Sequence, residues 1–346
     1  MSISRKGFLA GLGATVALAA AGCSTGPTAA PAPTGGSTAG AAPTPVTLML
    51  NWYPYGEHAG FYYGVEKGIF ARHGIDLKIQ AGQGSTKTVQ AVGGNQVMFG
   101  WADTPAVLSN IDKGVKARSV GVFLQTTPSS VQLFEEKGVK TPADLKGKTI
   151  AVSAGDAPTV MFPTYLKKAG LQPTDVQTQN LDAAGKISAV LAGQVDGLIG
   201  FAHDQGPTIA AKSGKPMTYL RYSDVGLNYF SNGLIVNPET ISSKPELVKA
   251  MVAATSEAYA AAAKDVDAAA KSMEGKDPQM PALPVLTQQW TETIKLLSTD
   301  ATKGKAPGTN AASDWDATIK VLADAGLIGG VKPASTYFDA SFQPTA

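Results

Sequence analysis

The stretch from Leu50 to Gly64, LNWYPYGEHAGFYYG, holds one of the chain's four tryptophans, four of its ten tyrosines and one of its three histidines. Trp52, Tyr53 and Tyr55 offer flat apolar faces with polar handles. Asn51 adds an amide that donates and accepts. This is chemistry for holding a small molecule by stacking and edge hydrogen bonds. Patterns for bond making are missing. There is no G-x-S-x-G nucleophile elbow. Gly82-Gln83-Gly84-Ser85 makes a glycine turn into a helix, but G-x-x-x-x-G-K-[ST] is absent. His58, His73 and His203 form no i, i+4 pair, and Cys23 is the lone cysteine. No metal site, cofactor or catalytic residue is therefore expected. His58 either reaches the pocket or braces the aromatic loop. His73 is read as a solvated helix cap, and Tyr62 and Tyr63 as core packing.

The elements that position these residues alternate. Strand candidates at Val46 to Leu50, Gly74 to Gln80, Val97 to Gly100 and Ser119 to Leu124 are separated by helical stretches at Phe61 to Lys67, Ser85 to Val92 and Pro105 to Asp112. Gly68 and Gly93-Gly94 end the first two helices. After Thr126 to Ser130 the alternation restarts, with strands at Val131 to Phe134, Thr149 to Val152, Val176 to Leu181, Gly197 to Ile199 and Met217 to Arg221. Helices are expected near Thr159 to Lys168 and Lys186 to Leu191. The pattern predicts α/β architecture, parallel sheets flanked by helices, in two units in series. After Gly233 to Asn237 the chain turns helical: Pro245 to Ser272, Leu286 to Ser298 and Ala312 to Ala325.

In such sheets ligands sit at the carboxyl ends of strands. Asn51 to Tyr55 follow the first strand. Three helix entrances face the same side and offer free N–H groups or ordinary caps: Gly82 to Thr86, including Gln83 and Ser85; Asp103-Thr104-Pro105; and Ser153 to Thr159, including Asp156. The two units also share a local echo. Gln96 to Asp103 and Gln194 to Asp204 each form a short apolar strand that ends in Gly, an aromatic residue, Ala and a nearby Asp. This places Trp101, Phe201, His203 and Asp204 at equivalent strand ends of one cleft.

The chain is ordinary in bulk, with 44% hydrophobic and 16% charged residues in 346 and a net charge of +2. Arg5 and Lys6 account for that excess, so the balance gives no case for nucleic acid. Residues 1–22 read as a signal peptide: a basic start, an uncharged apolar run too short for a membrane helix, then small residues. Ala20-Ala21-Gly22-Cys23 resembles a bacterial lipobox. Either Cys23 is acylated and anchors an exported protein to the membrane, or the protein is secreted with a free thiol. Residues 23–45 are almost wholly Ala, Pro, Gly, Ser and Thr and read as a disordered tether.

LNWYPYGEHAGFYYGVEKGIFARHGIDLKI resembles the opening of the thiamine-pyrimidine-precursor class of extracytoplasmic solute-binding proteins. Asn51, Trp52, Pro54, His58, Gly60, Tyr62, Lys67-Gly68, Phe70, Gly74-Ile75 and Asp76 carry the likeness. TPADLKGKTIAVS, AGQVDGLIG and NGLIVN extend it to about Lys249. Relatives serve importers of aliphatic sulfonates, taurine, nitrate and riboflavin. The resemblance implies a two-lobed, type II periplasmic-binding-protein-like fold. Lobe 1 would span 46–128 and lobe 2 129–232, joined by two crossing strands, and 233–346 would return to lobe 1 with a helical extension. It implies a monomer that closes on a small ligand and delivers it to an ABC permease. Family ligand positions fall on Asn51, Trp52 and His58, and more loosely on Trp101, Asp103 and the turn Ser153 to Thr159. The pyrimidine binders usually have Asn where Tyr55 stands, a Gly-Glu-Phe-Gly-type turn near Ala154 to Pro158, and Trp and Glu where this chain has Phe201 and Asp204. One enzymatic branch of the family uses a cysteine-rich iron motif, which Cys23 alone cannot supply. A sensor or adhesion module could use the same cleft without transport.

Overall fold

The computed structural model describes residues 42–344. The leader, Cys23 and most of the tether lie outside the described residues. In chain order the first part comprises β1 (Thr44–Met49), α1 (Ala59–Glu66), α2 (Ile69–Arg72), β2 (Ile75–Gln80), α3 (Ser85–Gly93), β3 (Phe99–Asp103), α4 (Thr104–Asp112) and β4 (Arg118–Val122). The second comprises β5 (Ser129–Phe134), β6 (Thr149–Val152), α5 (Ala157–Lys168), β7 (Gln177–Asn180), α6 (Ala183–Leu191), β8 (Gly197–Phe201), α7 (Gln205–Ser213) and β9 (Met217–Arg221). Then follow β10 (Asn232–Val236), α8 (Pro238–Ser243), α9 (Pro245–Lys264), α10 (Val266–Lys271), α11 (Leu283–Ile294) and α12 (Ala312–Asp324).

Two five-stranded sheets result, ordered β2-β1-β3-β10-β4 and β7-β6-β8-β5-β9. The orders correspond position by position. The alternation alone predicts purely parallel sheets, and neither sheet is one. β10 runs antiparallel to β3 and β4, and β5 antiparallel to β8 and β9. The reason is connectivity: these two strands enter each sheet from the other. The crossing segments 123–128 and 222–231 are tied to each other, with Ser231 N–H donating to Leu124 O at 2.8 Å and Thr127 N–H to Asn228 Oδ1 at 3.3 Å.

The inner strands β3, β5, β8 and β10 are buried along their whole length. They read as short runs of small and apolar residues because both faces are covered. β1 starts two residues before Val46. Thr44 and Pro45, assigned to the tether in sequence, pair with Ile75 and Asp76. β3 pairs only with Leu48 and Met49, so at Pro45 one flank of the strand is free and a missing N–H is tolerated.

Helix α1 lies against α9, and glycine sets their distance. A Cβ on Gly60 would stand 2.4 Å from the Tyr259 ring, and one on Gly64 2.7 Å from Ala258 Cβ. The helical run expected over Pro245 to Ser272 breaks at Asp265 (φ −135°, ψ 67°), giving α9 and α10. α11 sits three residues earlier than expected, and α7 was not anticipated because QGPTIAAKS shows no apolar stripe. α5 begins at Ala157, where Pro158 occupies the first turn and Asp156 caps the Thr159 N–H at 2.9 Å.

Candidate functional site

The loop after β1 and the turns before α3, α5 and α7 meet between the two sheets. A small cavity of about 30 Å³ is lined there by Asn51, Trp52, Tyr55, Ser85, Asp156 and Phe201, with Gly84, Ala157, Pro158, Gly200, Asp204 and Gln205. That is room for one or two waters. Trp52 also borders a larger outer groove of about 470 Å³, where Gln83, Lys87, Ser153, Asn180 and Asp182 stand. The lobes are therefore shut, and a ligand larger than a few atoms enters the inner cavity only if they part.

The hub of this region is Glu57, which is fully buried. Its carboxylate accepts from Trp101 Nε1 at 2.6 Å, Asn232 Nδ2 at 2.6 Å, Tyr55 OH at 2.5 Å and His203 Nε2 at 3.0 Å. Burial alone pushes such a carboxyl up, but the His203 hydrogen bond, the neighbouring imidazoles and the Trp101 indole outweigh it and hold Glu57 below its usual value. Three of these donors come from the first sheet and its loops. His203 comes from the end of β8, so Glu57 ties the two lobes together.

His58 does not line the cavity. Its Nδ1 accepts from the Tyr55 N–H at 3.3 Å and its Nε2 donates to Asn51 Oδ1 at 2.8 Å, an assignment fixed by the backbone donor. Of the two roles open to it in sequence, it takes loop bracing. Burial pushes it down to about 4, so the ring is neutral at pH 7. Asn51 and Tyr55 are thereby presented to the cavity in fixed orientations.

Other contacts across the lobes add to closure. Tyr53 OH donates to Asp204 Oδ1 at 2.7 Å. Lys186 Nζ, fully buried and held within the second lobe by Asp156 Oδ2 at 3.0 Å and Ile199 O at 2.9 Å, reaches across to stand 5.2 Å from the Trp52 ring centroid. Gln289 on α11 accepts from the Gly56 N–H at 2.8 Å and donates to Asp204 O at 3.0 Å.

The residues singled out in sequence thus divide. Asn51, Trp52, Tyr55, Ser85, Asp156, Phe201 and Asp204 meet at the inner cavity. Asp103 is completely buried beside it, and its backbone N–H donates to Ser85 Oγ at 3.0 Å. Trp101 is a correction: it packs in the first lobe's core against Phe61, Phe123 and Tyr259 and reaches Glu57, because its strand is central and covered on both faces. Thr104 is another, since its hydroxyl is bound to Ser231 O at 2.7 Å. Gln83 is exposed and accepts from Lys87, and Ser153 donates to Leu181 O; both border the outer groove. Thr159 donates its backbone N–H to the α5 cap Asp156, and its hydroxyl has no partner. His203 reaches Glu57 and borders a separate recess with Pro207, Arg221 and Glu292.

Sequence reasoning missed Glu57, Lys186 and Gln205. Glu57 had a readable signal, the single acid in an aromatic stretch. Lys186 had one too, a lysine on the apolar stripe that includes Ala189 and Val190. Gln205 carried no signal. Among the described residues no group of three or more His, Cys, Asp or Glu could hold a metal ion, and no helix is long and apolar enough to cross a membrane.

A family described as NMT1/THI5 like matches residues 56–269, more than half of the chain. A putative binding protein of Brucella abortus is 29% identical over 202 residues, covering 56% of this chain; the chain spans 59% of that relative's length. The formylaminopyrimidine-binding protein of Halalkalibacterium halodurans is 22% identical over 280 residues, 80% of this chain and 84% of that one. A protein of Legionella pneumophila named 4-amino-5-hydroxymethyl-2-methylpyrimidine phosphate synthase is 24% identical over 274 residues, 78% of this chain and 83% of that one. Among solved structures, the alkanesulfonate-binding protein SsuA of Xanthomonas axonopodis bound to MOPS superposes with a TM-score of 0.66 at 17% identity, covering 87% of this chain and 100% of that one. That likeness shows the fold: two α/β lobes of the periplasmic-binding-protein type, as the sequence resemblance predicts.

Proposed function

The chain belongs to the NMT1/THI5-like family, and from that premise we propose that it is the solute-binding component of an ABC importer. It captures a small heteroaromatic ligand, of pyrimidine or thiamine-precursor type, between its lobes. The observation that carries the reading is Trp52. Its indole lines the inner cavity and borders the outer groove, and its Nε1 is buried without a partner. A planar ligand stacking there gains apolar contact and meets a waiting donor. A relative that binds a formylaminopyrimidine supports the pyrimidine class.

The synthase name of one relative is weighed against this chain's own groups. Glu57 is committed to four donors, and Lys186 to Asp156 and a backbone carbonyl. Such groups hold an architecture and do not wait for a proton or a carbonyl carbon. Ligand binding without catalysis therefore remains the reading.

Export, acylation of Cys23, anchoring at the outer face of the membrane, a monomeric state and delivery to permease subunits complete the proposal. Mass spectrometry of the native N-terminus tests the anchor, with a diacylglyceryl adduct on Cys23 expected and a free thiol contradicting it. A thermal-shift panel of pyrimidines, riboflavin, nitrate, taurine, alkanesulfonates and polyamines tests the ligand class. A ligand at about 100 times its Kd stabilises by about 2.7 kcal/mol, roughly 4 °C for a chain of this size. A shift confined to sulfonates would move the assignment to that class.

A further inference from the structure

The buried hydrogen-bond accounts between the lobes do not balance, and the imbalance has a sign. Asp103 is completely buried, and neither of its carboxyl oxygens has a partner. Gln205, which lines the inner cavity, leaves its Oε1 unpartnered, and so do Gln132 Oε1 and Asn232 Oδ1. These five oxygens only accept, apart from a protonated Asp103. Against them stands Trp52 Nε1 as a donor, with the Ser231 and Thr159 hydroxyls able to donate or accept. Buried polar groups left unpaired cost about 1–3 kcal/mol each, and a charge more.

Charge points the same way. Glu57, Asp103, Asp156 and Asp204 stand between the lobes, each influencing at least one of the others. Lys186 answers Asp156, and Glu57 has its four donors. Asp204 has only the Tyr53 hydroxyl, and Asp103 has no hydrogen bond on its side chain, the Ser231 hydroxyl and the Thr104 N–H favouring its ionised form without closing one. Helix N-termini, which would hold an anion, are partly taken: Thr86 N–H donates to Gly155 O and Thr159 N–H to Asp156 Oδ1.

We infer that the solute is a cation rich in N–H donors, and that Asp103 is the residue that selects it, pairing with two adjacent N–H groups of an amidinium-like edge. This rests on the proposed capture of a solute between the lobes and narrows its class. A sulfonate or nitrate would add a negative charge to an acidic, acceptor-rich chamber and leave Asp103 unpaired. A planar amidinium satisfies both Asp103 oxygens at once and can stack on Trp52.

The test is calorimetric titration of the purified chain with matched probes: benzamidinium and 2-aminoimidazolium as planar cations with an N–C–N edge, benzenesulfonate and taurine as their sulfonate counterparts. The cations are expected to bind at least ten-fold more tightly than the sulfonates. Asp103→Asn, with its fold checked by circular dichroism, is expected to weaken the cations at least ten-fold and to narrow the gap. Sulfonates binding as tightly as the cations, cations failing to bind, or Asp103→Asn leaving cation affinity unchanged would each overturn the inference. Trp52→Ala separates this from the broader reading. Sulfonate binding that Trp52→Ala abolishes keeps the cleft and removes the charge rule, whereas binding indifferent to Trp52→Ala removes the cleft itself.

Discussion

At the scale of single residues, the molecule spends a fully buried carboxylate on architecture. Glu57 gathers Tyr55, Trp101, Asn232 and His203 around one point. In Glu57→Gln an amide N–H₂ would face at least one of those donors, and the compensating charge is lost. The variant is expected to lose about 3 kcal/mol of stability, read from urea unfolding; a loss under 1 kcal/mol would contradict the hub. Asp204 behaves in the opposite sense. Burial pushes it up to about 7, against the Tyr53 hydrogen bond and the Lys186 charge, from an ordinary value of 3.8. A carboxyl with a folded pKa above its unfolded one favours folding only while protonated. Its contribution therefore declines as pH rises from about 4 to about 7 and is level above that. Asp103 is raised by burial too and adds to the same slope. Asp204→Asn is expected to reduce the fall in Tm across that window, and an unaltered slope would show that Asp204 is not held protonated. The aromatic stretch was legible as two things at this scale. Asn51 to Tyr55 form a cavity wall, and Phe61 to Tyr63 mainly pack, Phe61 being fully buried and Tyr62 only in part. Tyr55 stands where pyrimidine binders resembling this chain usually have Asn, and here its hydroxyl is turned to Glu57. A residue that departs from its family pattern thus brings its own partner two positions later.

At the scale of elements, close approach governs what the sequence could reveal. Gly60 and Gly64 lie one turn apart on α1 and let it rest on α9. Gly60→Leu would drive a side chain into the Tyr259 ring, whose hydroxyl donates to Glu57 O at 3.1 Å. A loss of about 2–3 kcal/mol is expected, with weakened ligand binding through displacement of the Glu57 loop. Thermal unfolding and titration on the same sample check both, and a neutral effect would mean that α1 and α9 separate freely. Strands and most helices were readable because their periodicity is local. The antiparallel entry of β5 and β10 was not, since it follows from a crossover between sheets. Trp101 was misplaced for a related reason. A strand end was read as a cleft position, although β3 is covered on both faces along its whole length. Gln289 shows the limit most plainly: more than two hundred residues separate it from Gly56, and no spacing rule links them.

At the scale of the whole molecule, two sheets of matching strand order bring their strand-end loops together around a cavity of about 30 Å³. Tyr53 to Asp204, Glu57 to His203 and Gln289 to Asp204 hold it shut. The crossing segments 123–128 and 222–231 are the places where the chain can hinge, and closure around a ligand follows from that connectivity. The most direct measurement of the account is isothermal titration at pH 7, on wild type and Trp52→Ala, of the compound that gives the largest thermal shift. The account predicts one site per chain in the wild type, and a Kd at least thirty-fold weaker in Trp52→Ala with the fold intact. An unchanged Kd in Trp52→Ala would place the ligand elsewhere and contradict the account.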